Sequence, residues 1–249
     1  MEKIEQKENR YGLIGKNISY SFSKGYFTKK FTDLKLTDCS YENFDLKEIA
    51  EFEQLVPIKH IKGFNVTIPY KETIIPYLRK LDETALQIGA VNTIKITENG
   101  LKGFNTDSYG FEKSLEPLLK EKHRKALILG TGGASKAIAF VLNRLDIEYQ
   151  FVSRTKKTGQ LTYKDLNKNH IAQSLVIVNC TPLGTYPNIT AKPNIPYQFL
   201  TEDHLLYDLI YNPDKTAFLA QGEKSGATLQ NGLRMLELQA EKAWEIWNS

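Results

Sequence analysis

Cysteine, methionine and tryptophan are scarce in this sequence, which contains two of each. Cys39 and Cys180 lie far apart and form no Cys-x-x-Cys pair, and the four histidines show no metal-ligand spacing. We therefore expect neither a disulfide framework nor a metal site. The formal net charge is only +4 and the lysines are scattered, which argues against a nucleic-acid partner.

Long apolar runs are also absent. No stretch approaches the roughly 20 apolar residues that a helix needs to cross a bilayer, and residues 1–8 have no apolar signal-peptide core. We therefore expect a cytoplasmic protein with no membrane partner. Its 249 residues, of which 41% are hydrophobic, suit one large or two modest globular domains.

Strand and helix patterns alternate along the chain. Residues 11–15 predict a first strand, and Ser23 predicts the N-terminal cap of the helix after it. Residues 63–68 predict another strand, stopped by Pro69, which suits the first turn of a helix that continues through Leu78. This alternation is typical of an α/β fold.

A hairpin signal interrupts that alternation. Glu98-Asn99-Gly100 lies between strand-like residues 92–97 and 101–104, which predicts antiparallel strands in an otherwise parallel sheet. A helix is expected from Asp107, and a second run of βα units begins at Ala126. The first sheet is therefore predicted to be mixed, and the break between domains to fall near Asp107.

Two α/β domains follow from this pattern. A helix is expected at the C-terminus. Its apolar stripe comprises Leu233, Leu236, Ala240, Ala243, Trp244 and Trp247.

A glycine-rich loop follows the apolar strand that starts at Ala126. Gly130, Gly132, Gly133 and Ala134 open the next helix, where glycines permit a tight turn and backbone N–H groups can approach a pyrophosphate. Taken by itself, this glycine-rich loop is explained equally well as an ordinary βα turn that binds no ligand. The sequence of strand, loop, helix and further strand favours a dinucleotide site.

The end of the second strand of this domain indicates which dinucleotide binds. An NAD-specific protein usually carries Asp or Glu there, whereas this chain has Ser153, Arg154 and Thr155, followed by Lys156 and Lys157. A guanidinium can pair with a 2′-phosphate and stack on adenine, which favours NADP as the cofactor. One of the two lysines is equally explained as part of a solvated loop.

A second candidate site lies where the strand over 63–68 ends. Asn65 and Thr67 point to one face at its carboxyl end, the edge where open α/β sheets bind ligands. Lys71 is predicted in the first turn of the next helix, where a cation opposes the helix dipole and releases a proton more readily. Taken alone, the position suits a solvated surface lysine better.

Two polar residues around the hairpin complete this candidate site. Asp107 is explained on local grounds as a helix N-cap, and if it also reaches Lys71 it would hold the ammonium in place. Asn92 begins a strand of the same domain and is explained locally as a turn residue.

Taken together, these segments resemble the shikimate dehydrogenase family over almost the whole chain. The motifs that carry the resemblance are Ile18-Ser19-Tyr20-Ser21-Phe22-Ser23, Asn65-Val66-Thr67-Ile68-Pro69-Tyr70-Lys71, Gly89-Ala90-Val91-Asn92-Thr93, Gly103-Phe104-Asn105-Thr106-Asp107, Asn179-Cys180-Thr181-Pro182-Leu183-Gly184, Asp208-Leu209-Ile210-Tyr211-Asn212-Pro213 and Asn231-Gly232-Leu233. The chain departs from the family at Ser153, where the family has Asn. It also departs in 155–174, where the usual helix is expected to be trimmed.

The resemblance implies a substrate-binding domain of residues 1–107 plus 231–249 and a Rossmann-like dinucleotide-binding domain of residues 108–230. It also implies that the C-terminal helix packs back on the substrate domain.

The resemblance further implies roles for individual residues. Lys71 and Asp107 would be catalytic, and Ser21 and Ser23 would bind a carboxylate. The other implied substrate ligands are Asn65, Thr67, Asn92, Tyr211 and Gln239, and the implied contacts beside the nicotinamide are Thr181, Leu209 and Gly232.

The implied activity is reversible, NADP-dependent reduction of 3-dehydroshikimate to shikimate by a monomer or homodimer that needs no metal. Two alternatives stay open. A quinate/shikimate dehydrogenase of dual cofactor use shares nearly every motif, with only Arg154 and its surroundings against it. A non-catalytic sensor of NADP(H) or shikimate is disfavoured because Lys71 and Asp107 are both present.

Overall fold

The computed structural model describes residues 8–19 and 21–249, and the chain divides into two compact units. The N-terminal unit holds the described residues up to Thr106 together with Ala240–Ser249. The central unit comprises Asp107–Gln239. In the part of the chain described, no helix is both long and apolar enough to cross a membrane.

The N-terminal unit is built on a mixed six-stranded sheet of order β2-β1-β3-β5-β6-β4. Strands β1, β2 and β3 are mutually parallel, whereas β5 is antiparallel to both β3 and β6. The predicted hairpin is confirmed, although the short β4 beyond β6 was not predicted. The elements are β1 (Asn9–Gly15), α1 (Phe22–Asp33), β2 (Cys39–Asp45), β3 (Ile61–Val66), β4 (Lys80–Leu81), α2 (Glu83–Ile88), β5 (Thr93–Thr97) and β6 (Gly100–Phe104), with 3₁₀ helices at Ile49–Gln54 and Ile75–Tyr77.

The central unit has a sheet of six parallel strands in the order β12-β11-β10-β7-β8-β9. Chain order runs outward from β7 to β9 and then resumes on the other side at β10, which is the doubly wound Rossmann arrangement. The elements are α3 (Asp107–Leu115), β7 (Lys125–Leu129), α4 (Gly133–Arg144), β8 (Glu148–Ser153), β9 (Leu161–Thr162), α5 (Lys168–Gln173), β10 (Val176–Asn179), β11 (Leu205–Asp208), α6 (Ala217–Glu223), β12 (Thr228–Gln230) and α7 (Leu233–Asn248), with 3₁₀ helices at Glu116–Leu118 and Tyr197–Phe199.

The end of α7 packs on the sheet of the N-terminal unit, as predicted. Ala240, Ala243 and Trp247 are buried in one cluster with Tyr11 and Phe27. The Trp247 indole nitrogen donates to the Ile94 carbonyl at 3.0 Å. Leu233, predicted in the same apolar stripe, is instead exposed.

The central unit extends nine residues beyond the predicted domain boundary at 230/231, because the first turns of α7 belong to it. Met235 is part of the core of that unit. A Cβ at Gly110 of α3 would lie 2.5 Å from the Met235 carbonyl oxygen, so α3 and α7 meet backbone to backbone there. The first boundary falls at 106/107, one residue before the predicted one.

The helix predicted after Pro69 is wrong. Residues 68–74 form turns, and only Ile75–Tyr77 is a short 3₁₀ helix. The carbonyl of Lys71, which a continuing α-helix would bond to the N–H of Ile75, instead accepts from Val91 N at 2.7 Å. Pairing with the neighbouring segment therefore replaces helix propagation.

The predicted cap of α1 is displaced by two residues. Ser21, not Ser23, is the N-cap, and its Oγ accepts from the N–H of Ser23 at 3.2 Å. Serine side chains satisfy N-terminal N–H groups in this way. Ser23 is consequently inside the first turn of α1.

Candidate active site

A buried amide network occupies the carboxyl end of β3 in the N-terminal unit. The Asn65 side chain is 4% exposed, and its Nδ2 donates to the Asn92 carbonyl at 3.3 Å and to Thr93 Oγ1 at 3.2 Å. Its Oδ1 accepts from the Tyr41 hydroxyl at 2.7 Å. Because both amide hydrogens of Asn65 are engaged, this side chain joins β3 to β5 and orients its neighbours.

Asn92 is fixed by the segment that precedes α3. Its Oδ1 accepts from the Thr106 N–H at 2.7 Å, and its Nδ2 donates to Thr106 Oγ1 at 2.9 Å. The Asn105 amide in turn donates to the Ala90 carbonyl at 2.9 Å. The explanation of Asn92 as a simple turn residue is therefore wrong, since its side chain is an organised part of the network.

Lys71 and Thr67 lie in the turns that follow β3. Thr67 donates its N–H to Ile14 O at 2.8 Å, and Lys71 is bound through its carbonyl to the residue before Asn92. Both side chains are half-buried. Because Lys71 is not in a helix, no helix dipole acts on its ammonium group as predicted. The position of Lys71 is instead set by the hydrogen bond between its carbonyl and the Val91 N–H.

Tyr41 connects this network to α1. Its ring stacks on Phe27, with centroids 4.7 Å apart, and its side chain is within hydrogen-bonding reach of Ser23. Burial raises the pKa of Tyr41 well above its ordinary value, so the phenol remains a donor at neutral pH. Two predicted substrate residues, Ser23 and Asn65, thus share one buried hydroxyl.

Replacing Tyr41 by phenylalanine is expected to raise the KM for the ligand of this site severalfold and to lower the free energy of unfolding by about 1–2 kcal/mol. The change leaves the Asn65 Oδ1 without its 2.7 Å donor. Urea denaturation measures the loss of stability, and steady-state kinetics measure KM. Dinucleotide affinity serves as the internal control and should stay constant. An unchanged KM for the ligand of this site would show that Tyr41 supports the fold only.

In the central unit, the glycine-rich loop lies at the topological switch point between β7 and β10. Gly130 has a φ of +105°, and a Cβ there would lie 3.1 Å from Thr181 Cγ2. Gly132 is the N-cap of α4 without a side-chain cap, and a Cβ on it would meet no atom within 4 Å. This glycine therefore leaves space, and the first N–H groups of α4 (those of Gly133 and Ala134) suit a pyrophosphate.

The basic segment follows β8 directly. Ser153 is buried and its hydroxyl donates to the Thr155 carbonyl at 2.5 Å, which shapes the turn that carries the exposed Arg154. Lys156 pairs with Asp165 at 3.2 Å. Hydrogen bonds from Thr162 and Lys156 hold the pKa of that carboxyl at about 2. Within the predicted segment 155–174 the only helix is the six-residue α5 (Lys168–Gln173), in agreement with the trimmed connection that was predicted.

Three predicted nicotinamide contacts lie just after the ends of β10, β11 and β12. The Thr181 hydroxyl donates to Asn179 Oδ1 at 2.7 Å. Leu209 donates its N–H to the Asn179 carbonyl at 3.0 Å. A Cβ on Gly232 would overlap the Leu209 carbonyl oxygen, so only glycine permits this approach. Close backbone packing therefore brings all three residues together.

Asp107, Tyr211 and Gln239 belong to the central unit. Asp107 is the first residue of α3 and is 7% exposed. Tyr211 is half-buried just after β11. Gln239 is 7% exposed, and its Nε2 donates to the Leu236 carbonyl at 3.0 Å. Within the described residues, no group of three or more His, Cys, Asp or Glu side chains could hold a metal ion.

The sequence did not predict Tyr41, Thr93 and Thr106 as site residues, and it gave Asn179 and Asp208 no structural role. A sequence signal for Asn179 and Asp208 did exist. They are the final residues of β10 and β11 and stand opposite each other in the parallel register. Tyr41 gave no local signal, since a tyrosine in a strand is ordinarily explained by packing.

The mixed sheet of one unit and the doubly wound sheet and glycine loop of the other define a two-domain α/β protein of the dinucleotide-binding class. The family model "Shikimate dehydrogenase substrate binding domain" matches residues 13–94. The shikimate dehydrogenase (NADP(+)) of Methanococcus vannielii is 38% identical to this chain, and the alignment covers 98% of this chain and 93% of that protein. The chain belongs to the shikimate dehydrogenase family.

Solved structures of shikimate dehydrogenases have the same fold as this chain. Shikimate dehydrogenase 1 from Peptoclostridium difficile superposes with a TM-score of 0.85 at 36% identity, covering 96% of this chain and 92% of that one. The shikimate 5-dehydrogenase of Thermus thermophilus, in complex with NADP(H) and shikimate, has a TM-score of 0.85 at 30% identity, covering 96% of this chain and 93% of that one.

Proposed function

We propose that this chain catalyses the reversible, NADP-dependent interconversion of 3-dehydroshikimate and shikimate. One observation carries the choice of cofactor. The N-terminus of α4 at Gly132 has no side-chain cap, and β8 ends at Ser153 and is followed by Arg154, where an NAD-specific protein would have a carboxylate that binds the ribose hydroxyls. The similar proteins named above, one called NADP(+)-dependent and one solved with NADP(H) and shikimate, support the same choice.

The proposed roles of the residues follow the chemistry. NADP, when bound, supplies the hydride. Reduction of a ketone leaves charge on its oxygen, and we assign delivery of the proton to the Lys71 ammonium, assisted by Asp107. Ser21 and Ser23 would bind the carboxylate, and the ring hydroxyls would contact Thr67, Asn92, Tyr211 and Gln239. The geometry favours an orienting role for Asn65, because both of its N–H groups are already engaged.

The cofactor roles fall within the central unit. The N–H groups after Gly132 would face the pyrophosphate, and Arg154 with Thr155 would face the 2′-phosphate. Thr181, Leu209 and Gly232 would border the nicotinamide. We accordingly propose that the N-terminal unit supplies the substrate ligands Ser21, Ser23, Thr67 and Asn92. The central unit would bind the cofactor and supply Tyr211 and Gln239. We propose a monomer or homodimer of the cytoplasm.

A spectrophotometric assay at 340 nm tests this proposal most directly. Purified protein should reduce NADP with shikimate, and turnover with quinate or with NAD should be far lower. Comparable turnover with quinate, or with both cofactors, would replace the proposal by a quinate/shikimate dehydrogenase. Binding of NADP without any turnover would instead establish a sensor.

A further inference from the structure

The Asp208 carboxylate is buried at the end of β11, and the proposed chemistry does not use it. It is 0% exposed. Its Oδ1 accepts from Asn179 Nδ2 at 3.0 Å and from the Ile210 N–H at 3.1 Å, and its Oδ2 accepts from the Thr216 hydroxyl at 2.6 Å. Three donors from three separate segments thus converge on one carboxylate.

Two of those donors, Asn179 and Ile210, support a proposed cofactor contact. Through its Oδ1, Asn179 holds both the N–H of Thr181, at 3.0 Å, and its hydroxyl, at 2.7 Å. Ile210 accepts the N–H of Gly232 at 3.0 Å and follows Leu209 directly. Thr216 is the N-cap of α6. Asp208 is therefore hydrogen-bonded directly to the residue that holds Thr181 and to the residue that holds Gly232.

Opposing effects act on the pKa of Asp208. Burial raises the pKa of Asp208 to about 6, although its hydrogen bonds with Thr216, Ile210 and Asn179 act in the opposite direction. The titratable groups that interact with it are the Cys180 thiol and the Tyr197 phenol, and burial raises the pKa of each of them as well. At pH 8 the carboxylate is therefore mostly ionised, whereas the Cys180 thiol and the Tyr197 phenol are neutral.

A carboxyl group whose pKa is raised in the folded state favours folding in its protonated form. The contribution of Asp208 to stability is therefore greatest below its unfolded pKa, ordinarily 3.8, and declines as the pH rises through about 6. At pH 8 an uncharged isostere should be at least as stable as the wild type. A buried charge that does not favour folding calls for another role.

We propose that Asp208 is a positioning residue that holds Thr181, Leu209 and Gly232 in the geometry that receives the nicotinamide end of NADP. Its ionised form makes charge-assisted hydrogen bonds, which are about twice as strong as neutral ones. Loss of the charge loosens the three segments without removing a ligand contact. This inference rests on the proposed function, since it assumes that NADP binds here.

The test compares Asp208→Asn with the wild type by measuring the Kd for NADP, without substrate, from pH 5 to pH 8. We expect Asp208→Asn to bind NADP about five- to tenfold more weakly at pH 8, and the two proteins to converge at pH 5, where Asp208 is protonated. Protonation of the 2′-phosphate affects both proteins equally and cancels in the ratio of the two Kd values.

Controls separate positioning from stability. Asp203→Asn removes an exposed carboxylate of the same unit and should leave the Kd unchanged. The melting temperature of Asp208→Asn at pH 8 should equal or exceed that of the wild type. The proposal would be overturned if Asp208→Asn had the same Kd for NADP as the wild type at pH 8. It would also be overturned if the ratio of the two Kd values did not depend on pH. Failure of the wild type to bind NADP would overturn the proposed function instead.

Thr216→Val provides a second test if Asp208→Asn does not fold. It removes the 2.6 Å hydrogen bond to Oδ2, and also the acceptor of the Leu219 N–H at the start of α6, while it keeps the size of the side chain. The melting temperature of Thr216→Val reports the loss of the cap separately from the Kd. We expect about a threefold increase in the Kd for NADP at pH 8. An unchanged Kd in a folded Thr216→Val protein would contradict the positioning role.

Discussion

Replacing Lys71 by alanine is expected to lower kcat by about 10²- to 10⁴-fold while the fold and the affinity for NADP are preserved. A positioned proton donor contributes a factor of this size to a carbonyl reduction. The backbone of Lys71 is held through its carbonyl by Val91, a contact that does not need the side chain. Steady-state kinetics with shikimate and NADP give kcat, and circular dichroism reports the fold.

A matched control for this variant is Lys62→Ala. Lys62 is an exposed lysine of β3 in the same unit, and its removal should leave kcat unchanged. Added methylamine should restore part of the turnover of Lys71→Ala, because a free amine can supply the missing proton donor. Asp107→Ala should show a loss of similar size. Near-normal turnover in either Lys71→Ala or Asp107→Ala would remove that residue from the mechanism.

Replacing Arg154 by alanine should weaken NADP binding by roughly one to two decades and weaken NAD binding much less. The side chain is exposed after β8, where a guanidinium can form charge-assisted contacts with a 2′-phosphate. Such a contact is worth about 1.5–3 kcal/mol. The ratio of kcat/KM with NADP to kcat/KM with NAD measures the effect of the substitution. The preference between shikimate and quinate should stay unchanged.

Lys156→Ala is the matched comparison for Arg154→Ala. Lys156 is already paired with Asp165 at 3.2 Å, so its removal should cost less NADP affinity than the removal of Arg154. Equal losses with NADP and NAD in Arg154→Ala would indicate stacking on adenine or support of the loop. Phosphate recognition would then be assigned to Thr155, Lys156 or Lys157.

The sequence determined those features that depend on local chemistry. Glycines after a strand predict the turn before α4, because only they permit a positive φ and a close backbone approach, as at Gly130. Glu98-Asn99-Gly100 predicted the β5–β6 hairpin through turn chemistry. The alternation of strands and helices predicted two α/β domains, and the order of motifs predicted the family.

Tertiary structure alone decided the features that depend on residues distant in sequence. The apolar spacing of Tyr70 and Ile74 suited a helix, but Val91 takes the carbonyl of Lys71 and the segment forms turns instead. The roles of Tyr41 and Asp208 arise only when strands align, as where Asn179 meets Asp208 across β10 and β11. Local propensity is weaker than such long-range pairing, because buried polar groups must find partners wherever the fold supplies them.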